Sequence, residues 1–189
     1  MKTYKMLTTT LILLTALCWG EAQSRLLYQV SVNFPAFGLP GYRLSENFQN
    51  LGLSAGITYP FNPNETTGLR LDLGYYRTRA QGSSLYVQSQ FSLHPRIGDK
   101  LEAGIDLGAG YQIVGAAGPG WVRDTEGQWH KQNNQKGLFF VPAGLHLGYR
   151  INNTWRPFVQ YQAQVLLGYN EAFPVFPVHL LTLGQTFKF

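Results

Sequence analysis

The four histidines of this chain, and one serine that precedes a histidine by two residues, are the groups best suited to chemistry. His94, His130, His146 and His179 lie far apart on different expected elements, and none has a ligand-type residue two positions away. The sequence therefore carries no metal-binding spacing. Ser92 and His94 stand in the order Ser-Leu-His. A nucleophilic centre needs a hydroxyl and a base on one surface, with an acid to orient the base, and here both residues fall on a polar face beside a turn. His146 is followed by Leu147 and Gly148 and also lies on a polar face, whereas His179 lies on an apolar face with Leu181 as its next neighbour there. The glycine run from Gly115 to Gly120 lacks the lysine and the following helix that turn glycines into a phosphate cradle. No catalytic, cofactor or metal site is expected.

Charged residues make a second set. Arg70, Asp72, His94, Glu102, Asp106, His146, Arg150, Arg156 and Lys188 recur on the polar side of alternating segments. Two readings are open, a plug in which acids and bases neutralise one another and a gate or narrow ion path. Unpaired buried charge is costly, so the plug reading expects Asp72, Glu102 and Asp106 to face Arg70, Arg150 and Arg156. A third set lies in the glycine- and amide-rich stretch 115–137, which carries Trp121, Arg123, Trp129 and Lys131. Exposed tryptophans anchor partners, so this stretch is either a binding surface for an extracellular or membrane protein or a belt folded back on the rim.

The elements that must position these residues are strands. About eight segments alternate apolar with polar or glycine residues, the period of a β-strand. Leu69, Leu71, Leu73 and Tyr75 oppose Arg70, Asp72, Gly74 and Tyr76; Leu101, Ala103, Ile105, Leu107, Ala109, Tyr111 and Ile113 oppose Glu102, Gly104, Asp106, Gly108, Gly110 and Gln112. The others are 26–34, 51–59, 85–94, 139–149, 155–169 and 179–189. Leu107 and Gly108 thus fall on opposite faces, and Gly108→Ala is expected to be milder than Leu107→Arg. Short turns rich in Asn, Pro, Gly and Asp join alternate pairs (Asn62-Pro63-Asn64-Glu65, Arg96-Ile97-Gly98-Asp99, Asn152-Asn153-Thr154). Two of the other connections are long, 35–50 and 115–137.

The chain opens with Lys2 and Lys5, an apolar run from Leu7 to Trp19, and Gly20-Glu21-Ala22. That pattern predicts a signal peptide over residues 1–22 and a single domain over 23–189. The signal would take with it the only cysteine, two lysines and one glutamate, leaving a net charge of +4 and no disulfide framework. Lys and Arg are scattered rather than clustered, so no nucleic-acid partner is expected. A chain with 11 Tyr, 12 Phe and 4 Trp but no later apolar run long enough for a membrane helix can enter a bilayer only as a closed barrel. A soluble barrel would turn the apolar face inward and need no aromatics at its strand ends. Here Tyr59, Tyr75, Tyr111, Tyr149, Trp155, Tyr169 and Phe189 sit near segment ends on the apolar face, as interfacial girdles require.

These segments, with GLRLDLGYY, LEAGIDLGAGYQ and the terminal TFKF, resemble the small eight-stranded outer-membrane barrels of the OmpA/OmpX type over essentially the whole mature chain. The resemblance implies an all-β, eight-stranded, antiparallel up-and-down transmembrane barrel in the outer membrane of a Gram-negative cell, with both termini periplasmic. It implies outer-membrane lipid and the barrel assembly machinery as partners, the latter reading Phe187 and Phe189 as a terminal signal. The helical peptidoglycan-binding domain that OmpA carries after its barrel has no counterpart here. The function expected is non-enzymatic, structural or surface-interacting, around a side-chain-filled lumen. A small transport protein is the alternative, and a lipid-modifying enzyme a further one.

Overall fold

The computed structural model describes residues 26–36, 48–78, 82–115, 120–123, 127–132, 135–169 and 174–188; the expected signal peptide and Phe189 lie outside them. The described residues hold eleven strands: β1 Leu27–Ala36, β2 Leu51–Pro60, β3 Thr67–Thr78, β4 Gly82–Leu93, β5 Arg96–Ile97, β6 Leu101–Gly115, β7 Gly120–Arg123, β8 Trp129–Gln132, β9 Gln135–Tyr149, β10 Trp155–Leu167 and β11 Val175–Lys188. Nine of them, all but β7 and β8, form one antiparallel sheet; the short β5 pairs only with β6, and each of the eight long strands pairs with the next. The first strand meets the last from Leu27 opposite Lys188 to Ala36 opposite His179, and β4 pairs with β6 from Ser83 opposite Gly115 to Leu93 opposite Ile105. The sheet therefore closes on itself and leaves no free edge among the long strands, the condition for a barrel to cross lipid with every backbone group paired.

Strand period two decides which side chains fill the lumen. In β3, Leu69, Leu71, Leu73 and Tyr75 point out while Arg70, Asp72 and Tyr76 are buried. Outward leucines and aromatics such as Leu53, Leu145 and Phe139 are more than 60% exposed. That is the surface of a barrel whose solvent is hydrocarbon rather than water. Aromatics collect toward both ends of it: Tyr59, Phe61 and Phe91 in a contiguous row and Trp155 edge-on to Phe187 at 5.4 Å at the turn end, Tyr111 against Phe139 at 5.0 Å at the loop end. Tyr169 departs from the belt expected of it. It stacks on Phe176 at 4.7 Å and packs against the inner cluster, following Gly168, whose φ of 71° breaks the strand geometry.

Two features of the fold differ from the sequence reading. The stretch 115–137 is not wholly loop: β6 and β9 run on to Gly115 and Gln135, and β7 pairs with β8 as a separate two-stranded hairpin. Trp121-Val122-Arg123 and Trp129-His130-Lys131 are rich in the aromatic and β-branched residues that favour such pairing. The lumen is also not polar throughout. At the loop end Tyr76, Tyr86, Val114, Leu138, Phe140, Leu166, Val178 and Leu180 form a buried apolar layer. Glycines make room for its rings, since a Cβ on Gly110 would stand 2.3 Å from Phe140 Cζ and one on Gly74 2.2 Å from Tyr86 Cζ.

Candidate functional site: the charged lumen

Below the aromatic layer the inward faces of β3, β4, β6 and β10 build a polar one. Arg70 stands at its centre, 2% exposed. Its Nε donates to Asp72 Oδ2 at 2.9 Å, its Nη1 lies 3.5 Å from Asp106 Oδ2, and its Nη2 donates to Gln90 Oε1. The two carboxylates are completed by neutral donors: Gln29 and Gln88 on Asp72, Gln160 on Asp106 at 2.9 Å. Gln162 donates to Gln88 Oε1 at 2.8 Å, so the network spans the lumen from β4 to β10. An ion pair this deep is tolerable only when its remaining oxygens are satisfied, and Gln29 of β1 with the glutamines of β4 and β10 supplies those bonds.

His94 Nε2 lies 3.1 Å from Asp106 Oδ1, and its ring stacks on His146 with centroids 4.0 Å apart and planes 11° off parallel. His146 stacks in turn near Phe158, and its Nδ1 has no hydrogen-bond partner among the described residues. His146 thus joins the network through its ring face. Ligand atoms of His94, Asp106 and His146 fall within 4.8 Å of one another, a proximity that sequence spacing could not reveal because the two histidines stand 52 positions apart and come together only across β6. A metal must lie near the plane of each imidazole it binds. Two nearly parallel rings, one above the other, do not converge on such a point, and Arg70 already occupies the other oxygen of Asp106. In the trio as it stands, His94 is hydrogen-bonded to Asp106 and stacked on His146.

The turn end holds a second cluster, centred on a turn residue. Glu65, between β2 and β3, folds its carboxylate back into the barrel mouth. Lys188 Nζ donates to Oε1 at 2.7 Å, while Arg156 Nη2 and Arg150 Nη2 lie 2.6 and 3.2 Å from Oε2. Arg150 also donates to Glu102 Oε1 from Nε at 3.0 Å and Nη2 at 2.6 Å. The three acids expected to be paired therefore meet Arg70 and Arg150, whereas Arg156 pairs with Glu65 rather than with an acid of β3 or β6. Glu65 has φ 56°, a left-handed backbone uncommon for a residue with a Cβ. Asn62 holds the turn in that shape, its Oδ1 accepting from Thr66 N at 2.8 Å and its carbonyl from Glu65 N at 3.0 Å.

Burial pushes the Glu65 carboxyl up, but the Lys188 hydrogen bond and the Arg156 and Lys188 charges outweigh it and hold the group below its ordinary value of 4.5. A carboxyl depressed in the folded state stabilises the fold fully above its unfolded value and loses that stabilisation as pH falls through the folded one. Urea midpoints should therefore drop as pH falls below the ordinary value of 4.5, and drop less for Glu65→Gln than for the wild type. Equal losses would mean that other carboxylates carry the acid sensitivity.

Outside the barrel, Tyr161 Oη and His179 Nδ1 lie 2.6 Å apart on the outward face. No acidic side chain hydrogen-bonds His179 among the described residues, so the pair lacks the third member of a catalytic relay. Trp129 is 63% exposed on β8, and the hairpin register sets Arg123 opposite Trp129 and Trp121 opposite Lys131. The side chains of Trp121, Arg123 and Lys131 lie outside the described set.

Solved structures share this architecture, two of which illustrate it. Neisserial surface protein A superposes with a TM-score of 0.62 at 10% identity, over 88% of this chain and 98% of the other. Its fold is that of the small eight-stranded outer-membrane β-barrels. Ail, the attachment invasion locus protein of Yersinia pestis, gives 0.52 at 16% identity, over 87% of this chain and 96% of its own. Neither a protein family nor a characterised relative matches the sequence itself.

Proposed function

We propose that the protein is a non-enzymatic barrel of the bacterial outer membrane, with a closed lumen and a structural or surface-interaction role. The observation that carries this is the filling of the lumen at two levels, the aromatic layer at the loop end and the Arg70 network beneath it. An eight-stranded barrel has room inside for little more than its own side chains. A space of about 40 Å³ lies between the network and the mouth, lined by Arg70, His94, Glu102, His146 and Arg156, enough for a few waters. The short turns lie at the end that holds both strand termini, Leu27 and Lys188, which supports placing both termini in the periplasm and the longer connections outside. There the β7–β8 hairpin, with exposed Trp129, is the surface for a protein partner, and the apolar outer face takes outer-membrane lipid.

Planar-bilayer recording of the refolded barrel tests the closed lumen. Silence at moderate voltage is expected, and steady openings would favour a transport role. The assembly machinery is the other partner of this reading, recognising the end of β11. Deleting Phe189 should lower the folded yield in cells and leave refolding in detergent unchanged, with heat-modifiable migration on gels as the readout. Equal yields in cells would count against Phe187 and Phe189 as an assembly signal.

A further inference from the structure

The turn end of the barrel opens into a cup of about 510 Å³ whose charged lining is Arg96, Arg150, Arg156, Lys188 and a single acid, Glu65. Counting Glu102, which takes Arg150 from the lumen side, cations still outnumber acids by four to two. The acid among them is not part of the barrel wall. It arrives on a turn, with the left-handed backbone of Glu65, and sets one carboxylate against Arg150, Arg156 and Lys188. Three cations around one oxyanion are the arrangement by which proteins hold phosphate.

That carboxylate does not complete the cup. Arg156 is 4% exposed, yet its Nε has no acceptor among the described residues. A buried guanidinium donor without a partner costs free energy. Arg96, on the rim, donates to a backbone carbonyl, Asn64 O at 2.7 Å. The cup therefore offers more donors than two carboxylate oxygens fill, and a phosphate has more acceptor oxygens to give. We propose that the cup is a binding site for a phosphate-bearing group, with Glu65 as an internal occupant that the ligand displaces. Its volume suits a headgroup or small phosphate ester. The cup keeps this lining whichever side of the membrane the turns face.

The full barrel, refolded in uncharged detergent, would be titrated with inorganic phosphate and with glycerol phosphate while the arginine Nε resonances are followed by NMR. Wild type should bind, with the Arg156 Nε signal moving. Removing the internal competitor raises the competent fraction, so Glu65→Gln should tighten binding by about tenfold. Arg96→Gln should weaken it by about fivefold, as loss of a charged phosphate contact implies. Should Glu65→Gln fail to fold, Glu65→Asp, which withdraws the carboxylate by one methylene, carries the same expected direction. Micelles doped with phosphatidic acid separate the two sources: tighter binding than glycerol phosphate assigns a lipid headgroup, equal binding a free phosphate ester. No shift with phosphate in either wild type or the Glu65 variant overturns the proposal. So does weaker binding after the Glu65 substitution, or a preference for poly-glutamate over phosphate.

Discussion

Replacing Arg70 by methionine should destabilise the barrel by about 3–5 kcal/mol, the usual cost of stripping the partner from a buried ion pair. Arg70 is the cation shared by Asp72 and Asp106, which are 3% and 2% exposed. What would remain around the two carboxylates is Gln29, Gln88, Gln160 and His94. The amides hydrogen-bond a carboxylate but do not neutralise it, and one histidine cannot offset two charges. The triple variant Arg70→Met, Asp72→Asn, Asp106→Asn removes all three charges and should recover much of the loss, which distinguishes uncompensated charge from lost packing. Urea unfolding in lipid vesicles, with conductance recorded in parallel, measures both consequences. If Arg70→Met unfolds at the wild-type midpoint and stays silent, the lumen is hydrated and weakly coupled, and the plug account fails.

The parts of this molecule legible in its sequence are those set by period two. Which face of β3 turns inward follows from Leu69, Leu71, Leu73 and Tyr75 alternating with Arg70, Asp72, Gly74 and Tyr76, and the same alternation orders β6. Height along the barrel axis is different, since it depends on the stagger of every strand against its neighbour. Tyr76, Tyr86 and Phe140 are scattered in sequence, and only the register stacks them into one layer. The same stagger brings His94 onto His146. Glu65 was hidden for another reason: a turn residue has no face, so its side-chain direction follows from the backbone conformation that Asn62 imposes. Arg156 consequently looked like a partner for a strand acid and is a partner for a turn.

Gly108 shows how far a correct face assignment can mislead about energy. Leu107 is 58% exposed on the outer surface, and Leu107→Arg should cost about 2–4 kcal/mol by placing a cation in hydrocarbon. Gly108, one residue on, faces inward, where a methyl group would ordinarily be harmless. Yet a Cβ there would stand 1.9 Å from Ser89 O and 2.7 Å from Gln90 Cα, both backbone atoms of β4. Backbone cannot swing aside as a side chain can, so the β4–β6 pairing that closes the barrel would have to part. Gly108→Ala should therefore cost about 3 kcal/mol, the upper part of the range for overpacking, and match Leu107→Arg instead of being milder. Gly115 on the same strand is the control. A Cβ there meets the rotatable Ser83 hydroxyl at 3.1 Å and the Ser83 carbonyl oxygen at an ordinary 3.8 Å, so Gly115→Ala should shift stability by no more than about 0.5 kcal/mol. Refolding yield and urea midpoint in vesicles compare the three. If Gly108→Ala behaved like Gly115→Ala, β4 and β6 would approach less closely than this, and the tight closure of the barrel at that seam would have to be abandoned.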